Sequence, residues 1–276
     1  MTEITYSVHL DWLACTFSES PGYPAHWPSD WVDAHAFHSY STGRKAKDGR
    51  LEMINPDRPD MGIHVQATGD ALARMREHST DAEIASWALS ARNISRLDVA
   101  VNAQGLQVDV VKILKSYEDG AMRTKARKAP KIYKHGNKEG QGIYIGNRAA
   151  THCVIYDKAQ QLQLKGEHWT RVEFRVTGDR ARQVARMLAK GEDVRPVINA
   201  WVSLPKEVWW CDMMTRAVSP LEPVPAKDTD TVRWLLGTAA PTLGREMALD
   251  DDLLMRFLEV VYAVREEQIS NDRNTA

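Results

Sequence analysis

The chain has 276 residues, of which 43% are hydrophobic and 26% are charged, and its formal net charge is -1. These values are typical of a soluble globular protein with a substantial core, and the overall charge by itself does not indicate a nucleic-acid partner. Cys15, Cys153 and Cys211 form no CxxC or Cys/His spacing, which argues against a disulfide framework or a structural zinc site. The sequence shows neither a signal peptide nor an apolar run approaching about 20 residues, so we expect a cytoplasmic protein without a membrane span.

Hydrophobic alternation and helix-end signals predict the secondary structure in chain order. The predicted strands are 4–17, 62–69, 93–102, two short strands that carry Tyr144 and Tyr156, and 169–178. The predicted helices are 70–79 with Asp70 as the N-cap, 81–91, 107–119, 179–191 ending at Gly191, 231–238 and 247–268. Residues 18–60 are rich in Pro, Gly, Ser, His and Asp and are predicted as a long irregular loop.

The order of these elements predicts the fold class. Strands and helices do not alternate regularly, so we expect an α+β fold with an antiparallel or mixed central sheet and flanking helices. Residues 1–191 would form the core domain. Residues 192–276 would supply a Pro- and Trp-rich connector and a small helical C-terminal region that packs on the same core.

Three predicted strands each carry one acid among apolar residues: Asp98 in SRLDVAV, Asp157 in VIYDK and Glu173 in TRVEFRV. If the strands are neighbours, two of these carboxylates and the tyrosine of VIYDK converge on one face of the sheet, where the carboxylates would suit Mg²⁺ or Mn²⁺. The simpler interpretation is that each acid lies on a solvated face and pairs with an arginine two residues away, namely Arg96, Arg171 or Arg175.

The segment GIYIGNRAATHCVIYDK contains two candidate nucleophiles, Tyr144 and Tyr156. Tyr156 follows a β-branched run and precedes Asp157 and Lys158. Either the tyrosine closes a core strand and the charges begin a loop, or the strand ends in an active site. In the second case Lys158 is a candidate for stabilising a phenolate or a phosphate, and Arg148 is a candidate phosphate ligand beyond Tyr144.

His64 and Gln66 are two residues apart in GIHVQ and therefore share one strand face. They are either additional metal ligands or ordinary hydrogen-bonded strand residues.

A basic segment between Met122 and Lys138 contains no acid. It concentrates positive charge as phosphate binding requires, although such a run can also be only a solvated loop. Its cationic residues are Arg123, Lys125, Arg127, Lys128, Lys131, Lys134 and Lys138, accompanied by His135.

The ordered set HLDWLACTF, GIHVQATGDALARM, SRLDVAVN, GIYIGNR, CVIYDK and WTRVEFRV resembles the replication initiation factor family. This family comprises rolling-circle initiators of small plasmids and filamentous phages and is related to conjugative relaxases. The segments TVRWLL and PTL near the C-terminus are similar to the phage-type members. The resemblance covers most of residues 8 to 260.

The resemblance implies a metal-dependent, site-specific DNA nicking and strand-transfer enzyme on an α+β fold related to the HUH nucleases. It implies that Tyr156 is the nucleophile, that Asp98 and Glu173 bind the metal, and that Asp157 assists at the metal. Tyr156 would take the 5′-phosphate and release a 3′-OH primer, and the strand would later be rejoined.

Three functional hypotheses remain open from the sequence. The chain is a rolling-circle initiator, a conjugative relaxase with the same chemistry, or a DNA-binding protein that recognises an origin or operator without cutting it. The expected partners are an origin presented as a single strand or extruded hairpin, a host helicase with the replication machinery, and a second copy of the chain in a homodimer.

Overall fold

The computed structural model describes residues 4–134, 141–147 and 150–214. All of them belong to the first of two units into which the chain divides, Met1–Glu222 and Pro223–Ala276. The predicted domain boundary after residue 191 remains a prediction. Several predicted features lie outside the described residues: the helices at 231–238 and 247–268, the TVRWLL and PTL segments, His135, Lys138, Arg148 and the side chain of Lys134.

The described residues form one ten-stranded sheet in which every neighbouring pair of strands is antiparallel. The strand order is β2-β3-β4-β5-β1-β6-β11-β10-β9-β8, and β7 and β12 form a separate two-stranded ribbon. The predicted α+β fold with an antiparallel central sheet is thus confirmed. The strands are β1 Thr5–Phe17, β2 Trp31–Ala34, β3 Thr42–Ala46, β4 Leu51–Ile54, β5 Ile63–Ala67, β6 Asn93–Gln104, β7 Arg123–Thr124, β8 Lys131–Lys134, β9 Gln141–Gly146, β10 His152–Asp157, β11 Trp169–Thr177 and β12 Val202–Ser203.

Seven α-helices and one short 3₁₀ turn, Pro59–Met61, complete the described part of the chain. Helix α2 begins at a capping box, in which the side chains of Thr80 and Glu83 each accept a hydrogen bond from the other's backbone N–H. Helix α1 is capped at Thr68 rather than at the predicted Asp70, which instead lies in its first turn. The helices are α1 Gly69–Met75, α2 Asp81–Leu89, α3 Val110–Glu118, α4 Lys158–Gln161, α5 Gly178–Ala189, α6 Arg195–Trp201 and α7 Val208–Met214.

The sheet has one apolar face and one polar face because side chains alternate along each strand. On β6 the buried Leu97, Val99 and Val101 point to the apolar face, where α5 packs on β6 and β11 and α2 packs on α5. The intervening residues of β6 point to the opposite face, which we call the polar face. None of the described helices is both long enough and apolar enough to cross a membrane.

Residues 18–60 are not an irregular loop, because they contain β2, β3, β4 and the 3₁₀ turn. These strands are only four or five residues long, so any alternation along them is too short to predict a strand. Buried Arg50 helps to hold the segment. Its guanidinium pairs with Asp48 at 2.6 Å and lies 4.5 Å from the ring centroid of Tyr23 and 4.9 Å from that of Trp27.

The central strand β6 should dominate stability. Leu97 is fully buried there, so Leu97→Ala should lower the free energy of unfolding by about 2–5 kcal/mol through lost burial and cavity formation. Val111→Ala, at a position that is 56% exposed, should change it by no more than about 0.5 kcal/mol. Urea titration of both variants checks this, and equal midpoints for the two would contradict it.

Candidate active site

Three of the predicted site residues lie on neighbouring strands of the polar face. Strands β6, β11 and β10 are adjacent, and their register aligns Asp98 with Arg175 and Arg171 with Tyr156. Asp98, Glu173 and Tyr156 therefore face the same side of the sheet. The sequence predicted this convergence only if the strands were neighbours, and in the structure they are.

The phenol of Tyr156 donates a hydrogen bond to Glu173 Oε1. Only 7% of Tyr156 is exposed, and on the same face of β10 Val154 lies between it and His152. Burial and the adjacent Glu173 charge raise the pKa of Tyr156 above its ordinary value. At neutral pH Tyr156 is thus a neutral phenol whose proton already points at a carboxylate.

Glu173 shares its surroundings with a second carboxylate, Asp11. Arg171 lies between the two acids, with Nη1 3.2 Å from Asp11 Oδ1 and 3.9 Å from Glu173 Oε1. Burial and the charge of Asp11 raise the pKa of Glu173 above its ordinary range, and Arg171 only partly offsets them. Glu173 is therefore a stronger base than a solvated carboxylate.

Asp11 reaches this position through a β-bulge. The register between β1 and β6 shifts between Leu10 and Trp12, which leaves Asp11 as the extra residue. Burial alone would raise the pKa of Asp11, but nearby His9 and Arg171 outweigh it and lower the pKa. Asp11 is consequently an ionised carboxylate beside Glu173.

Asp98 is held by two arginines. Arg96 Nε donates to Oδ1 at 2.9 Å and Arg96 Nη2 to Oδ2 at 2.5 Å, while Arg175 Nη2 donates to Oδ2 at 3.0 Å. Only 2% of Asp98 is exposed. Its immediate role in the fold is to fix two guanidinium groups on the polar face. The pairing of Asp98 with Arg96, two residues away, is the one that the simpler interpretation predicts.

The two charged residues after Tyr156 have different surroundings. Asp157 is the N-cap of α4 and accepts a hydrogen bond from the Gln160 N–H at 3.0 Å. Lys158 Nζ donates to Gln161 Oε1 at 2.6 Å and lies 6.0 Å from the Tyr156 ring centroid. Burial and the charge of Arg171 lower the pKa of Lys158. The strand thus ends at Tyr156 and Asp157 because Asp157 begins a helix.

A cleft of about 340 Å³ opens beside Tyr156 and Glu173. Tyr144 lines it as well, and its ring centroid lies 4.2 Å from that of Tyr133. Tyr144 and Tyr156 lie on the adjacent antiparallel strands β9 and β10, as the predicted hairpin requires. The remaining lining residues are Tyr133, His152, Val154, Gln161 and Arg175.

His64 and Gln66 lie on β5, which β1 and β6 separate from Glu173 on β11. His64 Nδ1 is 3.0 Å from Thr16 Oγ1. The structure therefore does not bring this pair together with Glu173, and both residues line a different cavity.

The described part of the basic segment begins in the β7–β12 ribbon, which contains Arg123, and continues to β8 at the edge of the ten-stranded sheet, next to β9. Lys131 on β8 is aligned with Tyr144 on β9. None of its described cations makes an ion pair within residues 4–134, 141–147 and 150–214. The exposed ones are Arg123, Lys125, Arg127, Lys128 and Lys131.

Sequence reasoning missed Asp11 and His152 as members of this site. His152 is aligned with Arg175, and burial followed by the Arg175 charge lowers its pKa. An acid inside the apolar run HLDWLACTF was the only available signal for Asp11.

The predicted metal can be tested against the chemistry of the donor set. Asp11 and Glu173 offer carboxylate oxygens of the kind that Mg²⁺ prefers, and Mg²⁺ is commonly bound by one or two carboxylates together with substrate phosphates and water. In the described part of the chain, no group of three or more His, Cys, Asp and Glu side chains is arranged to hold a metal ion. The residues thus fit a site that substrate would complete.

Comparisons with known proteins agree with this architecture. A solved structure described as "Structure of Rolling Circle Replication Initiator Protein from Geobacillus stearothermophilus" is similar to this chain with a TM-score of 0.60 and 21% identity, over 79% of this chain and 93% of that one. No curated protein matches. The family model for replication initiation factor matches residues 92–249, more than half of the sequence. The chain belongs to the replication initiation factor family.

Proposed function

We propose that this protein initiates rolling-circle DNA replication by nicking one strand through a covalent bond to Tyr156 and later rejoining it. The observation that carries this proposal is the contact between Tyr156 and Glu173 on a polar face that also presents arginines. Family membership and the fold of the similar initiator support the same function.

Glu173 acts as the general base in this proposal. A phenol with a raised pKa is a poor nucleophile, so its proton must leave as it attacks. Glu173 already accepts that hydrogen bond, and its own raised pKa makes it a better proton acceptor. The Tyr156 oxygen forms a bond to phosphorus, the bond from phosphorus to the 3′ oxygen breaks, and the 3′ oxygen takes a proton from water.

The product has the 5′-phosphate on Tyr156 and a free 3′-OH that can prime synthesis. The phosphotyrosine bond is still a phosphodiester. A 3′-OH can therefore attack it in the reverse direction, which returns the proton to Tyr156 and reseals the strand.

Cationic side chains would hold the phosphate that is cut. Arg175 lines the cleft and is fixed by Asp98, so its orientation is set before DNA binds. Lys158 lies near the Tyr156 ring, and its partial burial strengthens its attraction to an anion. These positive charges oppose the negative charge that develops on the phosphate oxygens.

Asp11 and Glu173 are the residues that would hold Mg²⁺ or Mn²⁺ here. When bound, such an ion polarises the phosphate and neutralises its charge. Asp98 and Asp157 are less suited to this role, because Asp98 accepts from two guanidiniums and Asp157 caps α4.

The exposed cations of the basic segment would bind the DNA backbone. Phosphate contacts of this kind supply affinity and orientation but carry little sequence information. The described residues contain no feature that favours a conjugative relaxase, and a non-cutting binder would not need the Tyr156–Glu173 contact. The helicase and homodimer partners remain predictions.

The covalent intermediate can be detected directly. Wild-type protein with Mg²⁺ or Mn²⁺ and a supercoiled plasmid carrying the surrounding genomic region should give nicked circles and an SDS-resistant protein–DNA band. Tyr156→Phe should abolish both, because the attacking oxygen is gone, while Tyr144→Phe should keep them. Loss with Tyr144→Phe alone would assign the nucleophile to β9. A wild type that binds the plasmid but leaves it supercoiled would favour the non-cutting alternative.

The role of Glu173 predicts opposite effects on activity and stability. Glu173→Gln should lower the nicking rate by about 10²–10⁴-fold, the usual contribution of a general base. Because the folded environment raises the pKa of Glu173, ionisation of this carboxyl lowers the free energy of unfolding. This destabilisation is absent below the ordinary pKa of 4.5. It grows as the pH rises through the pKa of Glu173 in the folded protein. Glu173→Gln should therefore raise the melting temperature relative to wild type at pH 7.5 but not at pH 4.

Glu167→Gln is the matched control for this measurement, since Glu167 is exposed. It should change neither the nicking rate nor the difference between the melting temperatures at the two pH values. A Glu173→Gln variant that is less stable than wild type at pH 7.5 would show that the ionised carboxylate stabilises the fold, contrary to this assignment.

A further inference from the structure

A second cavity, of about 410 Å³, lies on the same polar face. It is lined by strands β1, β5 and β6 and by the loop between β2 and β3, whereas the cleft at Tyr156 is lined by strands β8 to β11 and by α4. None of the roles assigned above uses it. We call it the β5 pocket, and its lining residues are Trp12, Ala14, His38, Tyr40, His64, Gln66, Ser95 and Arg96.

The β5 pocket exists because a small residue lies between two long ones. The strand register aligns Gln66 on β5 with Ala14 on β1, and Ala14 with Arg96 on β6. Side chains of directly aligned residues lie side by side on one face. The methyl group of Ala14 therefore leaves a floor between the amide of Gln66 and the guanidinium of Arg96.

Flat groups form the sides of this pocket. The rings of Tyr40 and His64 have centroids 5.6 Å apart and are inclined by 30°. On the other side, the Arg96 guanidinium covers the Trp12 ring at 3.9 Å from its centroid. Aromatic rings and guanidinium planes are the surfaces on which unpaired nucleobases stack.

The edges of the pocket offer uncharged hydrogen-bonding groups. The side chain of Gln66 makes no hydrogen bond within the described residues, although its amide can donate and accept. Burial lowers the pKa of His64 to about 4, so the imidazole is neutral at pH 7. With Nδ1 next to Thr16, Nε2 is the ring nitrogen left for a ligand. Neutral donors and acceptors suit the edge of a base better than a phosphate.

A chain of contacts connects the pocket to the proposed active site. Arg96 lines the pocket and binds Asp98, Asp98 binds Arg175, and Arg175 lines the cleft beside Tyr156. Arg96 Nη1 makes no hydrogen bond among the described residues and is available to the sugar–phosphate backbone. Four strand spacings of about 4.8 Å separate β5 from β10, so a single strand of DNA that crosses the sheet could meet both cavities within a few nucleotides.

We propose that the β5 pocket binds one unpaired nucleobase of the DNA strand that Tyr156 cuts. The base stacks on Tyr40 and His64, and the Gln66 amide hydrogen-bonds its edge. This inference rests on the proposed function in one respect only, namely that the bound DNA strand is the one that Tyr156 cuts. Binding of a base in the pocket fixes the register of the strand, and so selects the phosphate that reaches Tyr156.

Fluorescence anisotropy can test this with the full chain and two labelled probes, a 20-nucleotide oligothymidylate and a 20-unit abasic phosphodiester of the same charge. Wild type should bind the oligothymidylate more tightly than the abasic probe. Tyr40→Ala should weaken oligothymidylate binding roughly tenfold, within the range that base–aromatic stacking contributes, and leave abasic binding unchanged. Tyr40→Phe keeps the ring and should bind both probes like wild type.

Gln66→Ala is the second variant, and Gln107→Ala, outside the pocket, is its control. Gln66→Ala should weaken only binding of the oligothymidylate, and Gln107→Ala should change neither affinity. Equal losses for both probes, no loss in either pocket variant, or a wild type that does not distinguish the probes would overturn the proposal. Base-dependent binding without a Tyr156 adduct would reject the nicking function and leave the pocket assignment standing. A Tyr156 adduct without base-dependent binding would reject the pocket assignment and leave the nicking function standing.

Discussion

Burial of charged groups on one face of the sheet is the constraint on which the site depends. Asp98 is almost fully buried, and Glu173 and Arg171 are largely so, yet each has an oppositely charged or hydrogen-bonding partner. A buried charge without such a partner would destabilise the fold strongly. The arginines of β6 and β11 therefore both stabilise the sheet and fix the geometry of the carboxylates.

Small residues allow this network to extend across strands. Ala100 on β6 is aligned with His9 on one side and Glu173 on the other. Because its side chain is only a methyl group, Arg171 can reach from β11 across β6 to Asp11 on β1. Ala14 has the same effect two rows away, where it forms the floor of the β5 pocket. The polar face is thus shaped as much by its alanines as by its charges.

The sequence predicted the central part of the fold because β6, β11 and β10 alternate clearly and carry their polar residues in phase. It could not predict Asp11. Strict alternation would place Asp11 and Leu13 on one face, but the bulge puts Asp11 on the polar face while Leu13 is buried in the core. It also could not predict that Arg175 binds Asp98, since that contact depends on the register between β6 and β11. The short strands of residues 18–60 were missed because each has only four or five residues, and pairing with the neighbouring strands, rather than a pattern within each strand, holds them.

Tyr156 lies on a strand that is hydrogen-bonded on both sides, to β9 and to β11. Under the proposed function, DNA attached to its side chain is pulled whenever the strand is unwound and displaced. A pull along β10 would have to shear two rows of backbone hydrogen bonds at once, whereas a nucleophile on a loop would simply be drawn out. If Tyr156 is the nucleophile, its position inside the sheet would make the protein a firm mechanical anchor for the DNA end until the strand is resealed.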